Sequence, residues 1–461
     1  VIDFVIADQL VAARNQMALS LGFHIVLACF GVAFPAMIFV LHRRGLAGDE
    51  VALSMAKRWS KVAAVLFAVG AVSGTILSFE MGLLWPGLMS QYGDVIGLPF
   101  AMEGIAFFVE AVFIGIYLYG WDRLAPRVHL YTLVPMMVSG VFGTFCILAV
   151  NAWMNAPTGF TLVDGEVTDV DPLAVILNDA LWAQFLHMFV AAYMVTGFCV
   201  AAVYAVGMRR GRVDHRHRLG VLVPLAFASV AALVQPVIGH VAGMRLATEQ
   251  PAKLAAMDLA VDTEENAPLR IGGLLVDGEV VGAIEIPGLG SVLARGGFDR
   301  PVTGLNDIPA DERPPVNVVR WSFQTMVAIG TALAVGGLLF WWRRRGGQDP
   351  LSSPRWLRAI AVACPMSVVA LQAGWVTTEV GRQPWIVHRV LRVEDAVTSS
   401  SGVWISLAGV VVVYTVMGVV TVRVLRSMAR RWRDGQDDDL PSPYGPSALS
   451  DRLARRAGER V

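Results

Sequence analysis

Apolar residues fall in nine long blocks, at about 16–41, 61–84, 99–120, 130–153, 176–207, 219–242, 318–342, 357–377 and 402–425. Each is close to or beyond the roughly 20 residues an α-helix needs to cross a bilayer. The fifth is long enough to tilt or protrude. Two kinds of connection alternate between the blocks. The basic kind comprises His42-Arg43-Arg44 with Lys57, Arg58 and Lys61, then Arg123 and Arg127, MRRGRVDHRHR (208–218), WWRRR (341–345) and RVLRSMARRWR (423–433). The other kind lacks Lys and Arg (85–98) or carries Asp164, Glu166, Asp169 and Asp171 (154–175). Basic residues stay in the cytoplasm, so the N-terminus is expected outside and the C-terminus inside.

One connection breaks the pattern. Residues 243–317, on the expected outer side, join a helix-like charged stretch (ATEQPAKLAAMDLAVDTEE) to a strand-like one (GGLLVDGEVVGAIEI). A long, partly structured loop between compact spans suggests function. The predicted organisation is helices one to six over 1–242, an outer loop over 243–317, helices seven to nine over 318–433, and a polar, Pro-rich cytoplasmic tail over 434–461. The expected fold is an all-α polytopic membrane protein.

Composition agrees: 55% of the 461 residues are hydrophobic and 16% charged, with mean hydropathy +0.58. The formal charge is zero, and no motif points to a nucleic-acid partner. Cys29, Cys146, Cys199 and Cys364 lie in apolar blocks without CxxC spacing, which argues against a disulfide framework or zinc site. The opening VIDFVIADQL has no basic region or cleavage site of a signal peptide, so the first helix is expected to direct insertion.

Polar groups inside the blocks carry the candidate chemistry, because a charge at membrane depth is costly unless paired, protonated or bound to a cation. His24 (SLGFHIVLACF) and His187 (WAQFLHMFVAAY) lie within apolar helices, where they are core residues or ligands of haem or metal. His42, His129, His215 and His217 fall in the basic connections, and the expectation there is solvated loop histidine. His240 and His388 sit near outer helix ends. Met326 (WSFQTMVAIG) alone would read as packing, since the chain has 18 methionines. Glu379 ends the eighth block. On the expected topology these four, His24, His187, Met326 and Glu379, share the outer half of the membrane, and His with Met is an axial pair of electron-transfer haem. Glu103 and Glu110, seven residues apart, fall on one helical face and suggest a proton relay, with pairing to arginines as the alternative. Glu80 and Arg14 are expected near the outer boundary.

Together these pieces resemble subunit I of the cytochrome bd quinol oxidases over nearly the whole chain. The matching stretches are RNQMALSLGFH (14–24), AMEGIAFFVEA with GWDRL, NAWMNAPTGF (151–160), AQFLH (183–187), NVVRWSFQTM (317–326) and GWVTTEVGRQPW (374–385). The resemblance implies that His187 and Met326 hold a low-spin haem b. It implies that His24 and Glu379 hold two high-spin haems, one haem b and one haem d, with haem b in place of haem d as the alternative. Trp375 would sit between haems, Arg382 and Arg14 would offset propionate or carboxylate charge, and Glu103 and Glu110 would serve a proton path. Gln250, Lys253 and Asp258 fall where the family's quinol-binding loop residues lie. Asp258 stands where better-known members have Glu, and Gln324 where Arg is common near the low-spin haem. The loop lacks the long insertion of some members.

The implied protein is a haem-containing subunit of a bacterial cytoplasmic-membrane oxidase. It would oxidise menaquinol or ubiquinol outside, reduce O2 to water and draw protons from the cytoplasm. Its expected partners are oxidase subunit II, with or without a small single-helix subunit. A version with only b haems or a donor other than quinol is the runner-up. A transporter using buried His and Glu predicts inverted repeats or broken helices at the midplane, and the sequence has neither.

Overall fold

The computed structural model describes residues 2–434, with side chains from residue 9 onward; the expected tail lies almost wholly outside the described residues. Nine helices among them are long and apolar enough to cross a membrane. In chain order the elements begin with α1 (Ile2–Leu46), α2 (Glu50–Leu84), α3 (Pro86–Tyr119), α4 (Pro126–Tyr131) and α5 (Leu133–Asn155). A hairpin β1 (Thr161–Val163) and β2 (Glu166–Thr168), then α6 (Pro172–Ile176), lead to α7 (Leu181–Arg209) and α8 (His215–Glu249). The long loop holds α9 (Pro251–Asp258), β3 (Leu269–Val276), β4 (Glu279–Ile286) and α10 (Leu289–Arg295). The chain ends with α11 (Val316–Arg345), α12 (Pro354–Val380), β5 (Trp385–Val387), β6 (Leu391–Arg392), α13 (Val393–Ala396) and α14 (Val403–Arg433).

Packing divides the spans into two groups. α1 packs on α2 and α5, and α3 on α5, while α7, α8, α11 and α12 pack on one another. The groups meet where α7 and α12 approach α1, through Ile25, Cys29, Ala192, Val195 and Leu371. There Thr196 Oγ1 donates to the Cys29 carbonyl at 2.9 Å. α14 lies outside, against α1 and α2. Large apolar side chains such as Phe108, Val112, Ile405 and Val412 are exposed around the rim, as lipid contact requires.

Several sequence expectations change. The helices outrun the apolar blocks: α1 starts at Ile2, so Arg14 is helical, and α3 takes in most of 85–98 because Leu88, Tyr92, Val95 and Ile96 are buried in a core cluster. The fifth span is shorter than expected, since the chain breaks after Ile176 and α7 begins at Leu181, placing His187 only two turns in. The charged stretch after α8 divides at Gln250, because Pro251 cannot donate the next helical hydrogen bond and instead opens α9. The acidic connection 154–175 folds a hairpin. LVDGEV occurs in it and again in the long loop, and each copy turns on an Asp-Gly pair with positive φ (Asp164-Gly165 and Asp277-Gly278).

Two histidines expected in solvent are buried. His42 Nδ1 meets the Tyr117 hydroxyl at 3.0 Å and its ring stacks on Trp121, while His129 Nε2 donates to the Tyr117 carbonyl at 2.7 Å. α1 continues past its apolar block and carries His42 inward, and the short helix α4 sets the His129 ring against it. His215, facing Asp49, stays half-exposed. Glu80 is not interfacial but buried, its Oε1 accepting from Gln16 Nε2 (2.9 Å) and Ser20 Oγ (2.8 Å).

Candidate functional site

The candidate ligands lie on four helices, and three of them face a glycine. A Cβ on Gly74 of α2 would come within 3.0 Å of the His24 ring, and one on Gly239 of α8 within 3.2 Å of the His187 ring. A Cβ on Gly374 of α12 would fall 2.7 Å from Met326 Sδ. Side chains there would crowd out the donor atoms. His187 and Met326 both belong to the α7, α8, α11, α12 group, whereas His24 sits on the α1–α2 seam.

Hydrogen bonds set the donor atoms. Ser73 Oγ donates to the Gly70 carbonyl (3.0 Å) and therefore accepts from His24 Nδ1 (2.9 Å), which leaves the His24 Nε2 lone pair free to bind a metal. His187 Nδ1 is buried with no partner. The Trp375 indole N–H is also buried and unpaired, an arrangement that ordinarily costs about 1–3 kcal/mol and calls for a ligand.

Glu379 is the junction of the site. Its Oε1 accepts from Asn151 Nδ2 of α5 at 2.8 Å, and its Oε2 from Arg382 Nη2 at 2.6 Å. The resemblance gave Arg382 propionate or carboxylate charge to offset; in the structure it pairs with this carboxylate. Its remaining donors Nε and Nη1 are buried and unpartnered, so a propionate still has two N–H groups to meet. Arg14 Nη2 donates to Gln383 Oε1 at 2.5 Å, on the same GRQPW segment.

From Glu379 a polar chain runs to the loop. Asn155 Nδ2 donates to the Asn151 carbonyl (2.8 Å), and Asn155 Oδ1 accepts from Lys253 Nζ (3.0 Å) and Gln250 Nε2 (2.9 Å). Gln250 and Lys253 line a cavity with Asp307, Glu312, Arg382 and His388. Burial, followed by the positive charge of Arg382, lowers the Lys253 pKa to about 7, with Glu379 opposing. Burial raises Asp258 to about 6 against the pull of Arg320 and Arg270. His388, desolvated and facing Arg389, Lys253 and Arg382, is lowered to about 4.

Sequence reasoning missed Asn151, Asn155 and Arg320, although all three lie in stretches that carried the resemblance. Two asparagines four residues apart at a helix end were the available signal. Arg320 is fully buried and ties the loop down through the carbonyls of Met257 (2.6 Å), Arg270 (2.5 Å) and Gly272 (2.6 Å). Gln324 accepts from the Gly272 amide at 3.4 Å. Glu110 is buried beside a cavity with room for about one water, bounded by Gly31, Phe67, Ile114 and Met136. Glu103 is half-buried two turns back along α3, facing α5 as Glu110 does. Among the described residues neither is paired with an arginine.

A bare metal centre is not the right class for these donors. Among the described residues no three His, Cys, Asp or Glu side chains gather as ligands. Donors supplied singly by separate helices, three of the four in a glycine-lined recess, fit haem. The comparisons agree. The family model for cytochrome bd terminal oxidase subunit I matches residues 12–432. A putative cytochrome bd menaquinol oxidase subunit I of Bacillus subtilis (strain 168) is 37% identical, over 94% of this chain and 99% of its own. A cytochrome bd ubiquinol oxidase subunit 1 from the same organism is 29% identical, over 95% and 97%. The solved bd oxidase of Geobacillus thermodenitrificans superposes with TM-score 0.88 at 35% identity, covering 92% of this chain and 99% of that one. The chain belongs to the cytochrome bd terminal oxidase subunit I family. It is a haem-bearing, multi-pass protein of the bacterial inner membrane, and a second subunit completes the oxidase.

Proposed function

We propose that the chain oxidises quinol at its loop end and passes the electrons to oxygen within the same subunit. The observation that carries this reading is the polar chain Lys253–Asn155–Asn151–Glu379, which joins the loop cavity to the acid at the end of α12. His187 and Met326 would hold a low-spin haem b, and His24 and Glu379 the two high-spin haems, one haem b and one haem d. Bound haem supplies one-electron transfer and the open iron at which oxygen is reduced.

The protein's own residues do the rest. Gln250 and Lys253 orient the quinol head, and Asp258 accepts a proton from its hydroxyl. Arg382 and Arg14 offset carboxylate charge, and the free indole N–H of Trp375 offers a donor between haem sites. With the loop outside, protons released there stay outside. Protons consumed at the oxygen site then cross from the cytoplasm by way of Glu110 and Glu103. Each charge moved against 100 mV costs about 2.3 kcal/mol, so the reaction stores energy as membrane potential.

The test is the purified two-subunit complex in liposomes. Added menaquinol or ubiquinol should drive oxygen uptake, outside acidification and a reduced spectrum with a long-wavelength haem d band. Haem reduced only by dithionite, with no quinol-driven oxygen uptake, would overturn the quinol reading.

A further inference from the structure

The β3–β4 hairpin is the least explained part of the loop. It pairs Ile271 with Ile284 and Leu274 with Val281, yet these four side chains are 46%, 68%, 40% and 55% exposed. A water-facing hairpin would place polar residues there. Of its three acidic residues, Asp277 and Glu279 occupy the turn end, and Glu285, beside Ile284, is neutralised by Arg270 Nε at 2.8 Å across the strands.

The hairpin's level along α11 explains the pattern. Leu275 exchanges two hydrogen bonds with the Asn317 side chain (2.8 and 2.9 Å), at the first turn of α11. Three residues back along β3, the Gly272 amide reaches Gln324 and its carbonyl binds Arg320. β3 therefore runs antiparallel to α11, turn end up, with Gly272 at the level of residues 320–324. Trp321, 48% exposed on that same turn, occupies the place of a headgroup-level aromatic. Past the level where β3 docks, α11 presents Val327, Val335 and Leu338 to the outside.

We propose that the base of the β3–β4 hairpin is embedded in the loop-side leaflet, with Ile271, Ile284, Leu274 and Val281 against lipid acyl chains and the Asp277–Glu279 turn in water. The occupant of this surface is lipid. Its embedding fixes the loop, through the Arg320 clamp, at headgroup depth. Interfacial elements of this kind bury their apolar face about 5–10 Å into the boundary. The proposal is independent of which reductant the enzyme uses.

Site-directed spin labelling of the whole complex in lipid nanodiscs tests it. Ile284→Cys and Glu279→Cys each receive a nitroxide, with unmodified protein as the background, because the four native cysteines lie within spans. Power saturation with oxygen, which concentrates in hydrocarbon, and with a water-soluble nickel chelate reads the depth. At position 284 the oxygen-to-nickel collision ratio should exceed that at 279 several-fold. Equal nickel access at both positions would place the hairpin in water and overturn the proposal. So would exclusion of both reagents at 284, the sign of a protein partner. Val281→Cys repeats the measurement if Ile284→Cys fails to assemble.

Discussion

Asp258 and Lys253 lie five residues apart on α9, and burial displaces both protons toward neutrality. Asp258 at about 6 binds its proton more tightly folded than unfolded, so its contribution to stability falls as pH rises from about 4 to 6. Lys253 at about 7 does the reverse: the unfolded chain holds the extra proton between pH 7 and 10.5, so stability rises across that window. Both burdens are therefore greatest between about pH 6 and 7. A group titrating near 6 can take a quinol proton above that pH and not below. Quinol turnover should thus decline below about pH 6. Asp258→Asn should lower turnover about 100-fold or more, while Asp258→Glu retains most of it and the haem spectrum stays intact. Full turnover in the Asn variant, with the same acidic limb, would remove Asp258 from the reaction. The variant should also gain stability above pH 6 and none near pH 4, which thermal unfolding in nanodiscs would read. Glu110→Gln keeps the shape of its site but cannot carry a proton. It should slow oxygen uptake with haem content unchanged, whereas undiminished turnover and proton release would remove Glu110 from the relay.

At the scale of elements, the glycines facing His24, His187 and Met326 make the sharper claim. Gly374 lets α12 approach α11 with Met326 Sδ in the gap. The thioether is flexible, so Gly374→Ala should leave the helices packed and push the sulfur aside. The reduced low-spin band should then shift or vanish while expression and thermal stability hold. A native low-spin spectrum would show that the recess has no bearing on ligation. Much of this level was legible in the chain: the nine apolar blocks match the nine membrane-length helices among the described residues, and the strand-like stretch GGLLVDGEVVGAIEI holds both strands of the long hairpin. The helix ends were not legible, because apolarity marks hydrocarbon and not helix. Leu88, Tyr92 and Val95 extend α3 by burying against other helices, which no local pattern records. His42 and His129 were misread for the same reason, since adjacent arginines suggested solvent while Tyr117 and Trp121 closed over the rings.

For the whole molecule, the candidate ligands stood out because a His or Glu in an apolar block is costly unless it is paired, protonated or bound. Their supports did not stand out. Asn151, Asn155 and Arg320 are ordinary in a sequence and acquire meaning only when α5, α9 and α11 meet. The assembled picture is one bundle in which Glu379 is tied by hydrogen bonds through Asn151 and Asn155 to Gln250 and Lys253 of the loop. The claim on which most depends is that Glu379 holds a haem and is more than the partner of Arg382. Glu379→Ala removes the carboxylate and leaves His24, His187 and Met326 in place. The difference spectrum of the purified complex, reduced minus oxidised and calibrated by haem extraction, should show one high-spin haem lost or displaced and the low-spin haem retained. Three haems with unchanged spectra would contradict the account.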